Sequence, residues 1–169
     1  MNYRFVTDGK LDRAGVAAEL RRFLNLLIAR TRLDLRYEIR EREASRDEIE
    51  HPEVVVILHG PDHELLLQHN AELLLAIEFI AHRWLRLDPH FYDHVQLDCA
   101  DYRAVRRAEL ELSARVAAER VVSTKMPFRF QPMSPRERRV VHLALKNYPG
   151  VRTESEGAGD RRVVVIHPA

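Results

Sequence analysis

Residues Ser134 to His167, SPRERRVVHLALKNYPGVRTESEGAGDRRVVVIH, read as one capped helix followed by two strands. Ser134 supplies a capping hydroxyl, Pro135 suits the first helical position, and Glu137 completes a capping box. At about 100° per residue from Arg138, the side chains of His142, Lys146 and Arg139 fall within roughly one third of the circumference, with Val140, Val141, Ala144, Leu145 and Tyr148 on the other side. One face packs and the other carries positive charge. Tyr148-Pro149-Gly150 stops the helix, Val151 to Ser155 and Arg161 to His167 are strands, and Glu156 to Asp160 turns between them. From Ser134 to Ala169 there are seven Lys or Arg against four Asp or Glu, a local excess that a phosphate backbone would use.

Just upstream, Pro127 and Pro132 bracket Phe128, Arg129 and Phe130, an extended connector with alternating aromatic rings, and the domain boundary is placed here. Ala100 to Val122 reads as a long helix, preceded by a strand over Val95 to Cys99. Leu65 to Leu87, dense in Leu, Ile, Phe and Trp, reads as one largely buried helix ended by Asp88-Pro89. The β-branched run Glu53 to Leu58 is a central strand, and Leu33 to Ile39 alternates as a half-buried one, continuing into a charged, solvated turn over Glu41 to Glu50. Leu11 to Arg30 carries apolar residues three and four apart and is an amphipathic helix.

Composition bounds the function. A chain of 169 residues with 46% hydrophobic content buries one ordinary core or two small ones. The net charge of +1 says nothing about a polyanionic partner, so only local clustering can. A single cysteine, Cys99, excludes an internal disulfide and any cysteine-based zinc module, which fits a reducing cytoplasm. Glycines are too scattered for a Walker or dinucleotide phosphate loop, and neither a signal peptide nor a membrane-spanning run is visible.

The order helix, two strands, helix, strand in the first half, followed by LDCADYRAVRRAEL (residues 97–110), PMSPRERRVVHLAL (132–145) and GVRTESEG (150–157), resembles the bacterial Jag/KhpB (SpoIIIJ-associated) proteins. These join a KH domain to an Arg-xxx-His domain, written here as the R-three-H domain. The resemblance runs from Leu11 to the end and is strongest from Leu97 onward. It implies an α+β chain: a KH-like α/β sandwich with helices on a three-stranded sheet, joined to a small R-three-H α+β domain. The expected division is an N-terminal stub at residues 1–10, a KH-like domain with its long helix at 11–122, and the R-three-H domain at 123–169.

The function it implies is single-stranded nucleic-acid binding, with RNA as the first ligand and single-stranded DNA as the other polymer, and no enzymatic activity or cofactor. The family signature maps onto Arg138 and His142. Spacing agrees, since i and i+4 are neighbours on a helix and a guanidinium and an imidazole can meet one phosphate or stack on one base. Arg139, Lys146, Arg152 and the pair Arg161-Arg162 complete the expected phosphate contacts. An exposed helix salt bridge for Arg138 and edge control by Arg161-Arg162 are the competing structural roles.

Family KH domains carry a Gly-x-x-Gly loop where this chain has Gln68, His69, Asn70 and Ala71. With both glycines missing, the expectation is a backbone without the freedom to clamp nucleotides, a degenerate loop. The family's N-terminal Jag domain is not visible either. A second class of function is therefore carried alongside: a protein-interaction scaffold built on the apolar surface around Leu65 to Leu75, with a single-domain KH protein or a second copy as partner. His59, His63, His69, His90 and His94 with Asp88 and Asp93 are weighed as a metal site, but no complete ligand motif is present and none is assigned. Cys99 and Trp84 read as core residues, and Phe128 and Phe130 as rings that pack the connector or stack bases.

Overall fold

The computed structural model describes residues 4–43 and 52–169, residue 160 in its backbone alone. Residues 44–50 of the solvated turn expected after the first long strand lie outside the described residues. The chain is mixed α+β with small sheets, and it divides into two compact units, Met1–Tyr102 and Arg103–Ala169.

The first unit opens with a hairpin of β1 (Val6–Thr7) and β2 (Lys10–Leu11), turned by Asp8 and Gly9 at φ 51° and 71°. Two successive positive φ angles are what a tight two-residue hairpin needs, and Asp-Gly is a residue pair that adopts them cheaply. Phe5, within the stretch expected as an N-terminal stub, is buried in the core together with Leu11 just after it. Helix α1 (Arg13–Thr31) is capped by Asp12, whose carboxylate accepts from the Gly15 amide, and buries Val16, Leu20 and Leu24.

Strand β3 (Arg36–Glu41) pairs antiparallel with β4 (Val54–His59), and β4 pairs parallel with β5 (Val95–Cys99), so β4 is central. Val54, Val56 and Leu58 of β4 are almost completely buried, as the unbroken apolar run predicts. The parallel pairing needs a crossover, which α2 (His63–Trp84) supplies. At the β4–α2 turn Gly60 sits at φ +129°, and a Cβ there would lie 2.5 Å from the Asp34 carbonyl oxygen. Only glycine fits.

Helix α2 corrects the single unbroken helix expected over Leu65 to Leu87. It is interrupted at Gln68 (φ −61°, ψ 151°), His69 (φ 53°), Asn70 (φ 60°) and Ala71 (φ 61°). Three successive non-glycine residues in the left-handed region cost roughly 1–2 kcal/mol each, less for His and Asn. Tertiary bonds hold them: the Tyr102 hydroxyl donates to the Asn70 carbonyl at 2.9 Å, and Ala71 is fully buried. The backbone therefore takes the sharp turn that the missing glycines were expected to forbid.

Beyond the break, Leu74, Ile77 and Ala81 face the core, while Leu73, Leu75, Phe79, Ile80 and Trp84 face solvent. Trp84 is thus not the core residue its apolar surroundings suggest. It is 44% exposed, its indole donates to Glu19 at 3.0 Å, and its ring tilts against Phe23.

The second unit takes in nearly all of α3 (Tyr102–Thr124), a division that falls earlier than the expected boundary after residue 122. Leu110, Ala114, Ala117, Ala118 and Val121 are buried, and none of them joins the first unit's core. The connector becomes a short strand, β6 (Phe128–Arg129), and is followed by α4 (Pro135–Ala144), β7 (Val151–Glu156) and β8 (Val163–Pro168). The sheet order is β6-β8-β7, both pairings antiparallel. Val163 to Ile166 of the central strand are all buried. Gly157, at φ +89°, lets the β7–β8 turn close where a Cβ would stand 3.0 Å from the Arg161 carbonyl.

Candidate nucleic-acid interface

The start of α4 is fixed twice. Ser134 Oγ accepts from the Glu137 amide at 3.3 Å, and the Glu137 carboxylate accepts from the Ser134 amide at 2.9 Å, closing the capping box. The other Glu137 oxygen accepts from Arg106 Nε of α3 at 2.8 Å. Burial alone would raise the Glu137 pKa, but the Ser134 amide and the Arg106 guanidinium outweigh it and hold the carboxyl below its ordinary value. Val140, Val141 and Leu145 then anchor the helix from its buried side.

With that side anchored, Arg138 and His142 lie on the flank of α4 that faces β7. Arg138 is half-buried and donates from one terminal nitrogen to the Met133 carbonyl at 3.0 Å. That bond steadies the guanidinium and leaves most of its five donors for other acceptors. Side chains alternate along β7, so Thr153 and Ser155 share one face. Both reach His142: Nδ1 is 2.7 Å from Thr153 Oγ1 and Nε2 is 2.8 Å from Ser155 Oγ. Burial, then the charges of Arg138 and Arg162, keep the His142 pKa below its ordinary value, so the ring is neutral near neutral pH.

The structure thus brings Arg138, His142 and Arg162 together. Arg139, Lys146 and Arg161 are exposed on the same unit, and among the described residues none of the three forms an ion pair. Lys146 lies past the end of α4, its amide bonded to the Leu143 carbonyl, so it extends the charged stretch from a turn instead of from the helix.

Arg152, expected among the phosphate contacts, stands apart from Arg138 and His142. It sits one residue from Thr153 on β7, therefore on the opposite face of the sheet, and it pairs with Glu154. Thr153 and Ser155 are the residues the sequence reading missed. The signal was present, since a Thr-x-Ser alternation in the strand after an Arg-xxx-His helix places two hydroxyls on one face.

The opposite face holds a different cluster. Glu154, Glu156 and His167 bring ligand-type atoms within 4.8 Å of one another, but Arg152 pairs with Glu154 and Arg129 with Glu156. With each carboxylate already matched to a guanidinium, the group ties strands β6, β7 and β8 electrostatically.

Two of the histidines weighed for metal are bonded within the first unit. His63 Nδ1 is 2.9 Å from the Gly60 carbonyl, and His94 Nδ1 is 2.6 Å from Glu53. Cys99 is buried, and burial, then Asp98, push its thiol pKa up, away from a reactive thiolate. Phe128 and Phe130 pack edge to face on each other at 5.1 Å. In the first unit Gln68, His69 and Asn70 form an exposed loop, with Ala71 buried beneath it. No helix among the described residues is long and apolar enough to cross a membrane.

Residues 108–168 match the R-three-H domain family. The chain is homologous to proteins named RNA-binding protein KhpB. It is 33% identical to that of Clostridium symbiosum over 114 residues, 68% of this chain and 51% of the relative. It is 31% identical to that of Bacillus subtilis (strain 168) over 109 residues, 63% of this chain and 52% of the relative. The chain therefore spans about half the length of the curated relatives it matches.

Proposed function

Starting from an R-three-H domain and homology to RNA-binding proteins, we propose that this chain binds single-stranded RNA in the cytoplasm through the α4–β7 face of its second unit. The observation that carries the reading is the convergence of Arg138 and Arg162 on His142, Thr153 and Ser155, where among the described residues no carboxylate is paired with either arginine. Cations without a paired carboxylate, with donors to spare beyond their internal bonds, are what a phosphodiester needs. Arg139, Lys146 and Arg161 flank the site and would follow the backbone outward, with single-stranded DNA as the weaker ligand. Arg152 is left out, because it faces the other way and has its own carboxylate.

The test is fluorescence anisotropy with a labelled oligouridine at moderate salt. Arg138→Ala combined with Arg162→Ala should weaken binding at least tenfold and flatten the salt dependence by roughly 0.7 log units per lost phosphate contact. Unchanged affinity and salt slope would sink the reading.

A second reading has its own observation. We propose that the first unit is a KH-like domain whose exposed face on α2 docks a protein partner, either a single-domain KH protein or a second copy of this chain. Leu73, Leu75, Phe79, Ile80 and Trp84 make that face more apolar than solvent alone accounts for. Sedimentation should show association that Phe79→Glu with Ile80→Glu abolishes. A monomer at all concentrations, alone and with a single-domain KH protein, would contradict it.

A further inference from the structure

His142 has no ring nitrogen to spare for a ligand. Nδ1 and Nε2 are bonded to Thr153 Oγ1 and Ser155 Oγ at 2.7 and 2.8 Å. A neutral imidazole has one N–H and one bare nitrogen. Whichever tautomer is present, one hydroxyl accepts from the ring and the other spends its hydrogen on it. The accepting hydroxyl keeps its own hydrogen, which must point away from the ring. Imidazolium donates at both nitrogens, so both hydroxyls then accept and both hydrogens are released outward.

We infer that the hydroxyls of Thr153 and Ser155, together with the arginines, touch the phosphate on this face, and that His142 is a positioning residue that sets how many hydroxyl hydrogens reach it. The inference rests on the RNA-binding reading above and assigns roles within that site.

The surroundings of His142 give the device a direction. The charged groups that act on it are Arg138 on α4 and Arg162 just before β8. On β7 its neighbours are the two hydroxyls, while Glu154 and Glu156 alternate to the other face. Two cations and partial burial favour the neutral ring in the free protein. A phosphate arriving between the arginines offsets their charge and supplies the acceptors that released hydroxyl hydrogens need, so it favours the imidazolium. Binding therefore takes up a proton, and by linkage affinity rises as pH falls.

The test uses the full chain and a tetramethylrhodamine-labelled oligouridine without a terminal phosphate, which carries no group titrating in the range, at constant salt and at about pH 7.5 and about pH 5.5. Wild type should bind on the order of fivefold more tightly at the lower pH. Thr153→Val with Ser155→Ala should lose on the order of tenfold at both values, the scale of hydrogen bonds to a charged group. His142→Gln should bind more weakly and lose the pH dependence. Ser155→Thr, which keeps the hydroxyl, should restore both affinity and pH response when compared with Ser155→Ala. Circular dichroism on each variant confirms that the fold is intact.

Arg138→Ala with Arg162→Ala is the control for the site itself. Should that variant bind as wild type, the RNA-binding reading falls. Should it lose binding while the hydroxyl double variant matches wild type, or while wild-type affinity is flat with pH, the site stands and the assignment of Thr153, Ser155 and His142 is overturned.

Discussion

At His69 and Ala71 the same backbone conformation has two different energetic settings. Both are left-handed, at φ 53° and 61°, but His69 is exposed and Ala71 fully buried. Replacing His69 by glycine relieves the steric cost of that conformation at the price of a more flexible unfolded chain, and should stabilise the protein by about 0.5 kcal/mol. Ala71→Gly relieves similar strain but gives up a buried methyl group of about 0.8 kcal/mol, so it should be neutral or slightly destabilising. Urea denaturation of the two variants checks this, and a His69→Gly protein less stable than wild type would contradict it. These positions also mark where sequence was mute. Neither residue advertises a left-handed backbone, and the bond from Tyr102 that holds Asn70 comes from far along the chain. Asp8-Gly9 is the opposite case: the turn pair was plain in the sequence and simply not used.

At the scale of elements, α4 was legible because its signals are local. Ser134, Pro135 and Glu137 define its start, and the three- and four-residue spacing of Val140, Val141, Ala144 and Leu145 defines its buried side. Ser134→Ala should cost about 1 kcal/mol of stability. The second tie on Glu137, from Arg106, was not legible, since nothing in the spacing of α3 and α4 says which arginine meets which carboxylate. Its consequence is a pH dependence. The folded-state pKa of Glu137 lies below its ordinary value of 4.5, so its contribution is fully present above about that pH and is lost as pH falls through the folded value. Glu137→Gln should therefore lower stability at neutral pH and show a shallower acid limb in a pH series of thermal midpoints. A midpoint loss equal at all pH values would contradict the ion pair. Helix α2 misled because its leucines keep helical spacing on both sides of the break, so periodicity ran through a turn made by tertiary contacts.

For the whole molecule, strands β3, β4 and β5 and the C-terminal hairpin followed from alternation, β-branched runs and turn residues, all short-range signals. The grouping of α3 with the second unit did not, because an amphipathic helix does not say which neighbour covers its buried face. The same distinction governs function. The basic stretch and the Arg138-xxx-His142 spacing point to the proposed interface, whereas the internal hydroxyl partners of His142 needed the packed arrangement of α4 on β7. Two surfaces of different character result: a polar, cationic face on the second unit and an apolar face on α2 of the first.

The central claim is that RNA meets the former. Titrating the isotopically labelled full chain with oligouridine and following amide chemical shifts tests it most directly. Shifts should concentrate at Arg138, His142, Thr153, Ser155 and Arg162 and collapse at high salt. Shifts confined to Gln68 through Ala71, or none on α4 and β7, would contradict it.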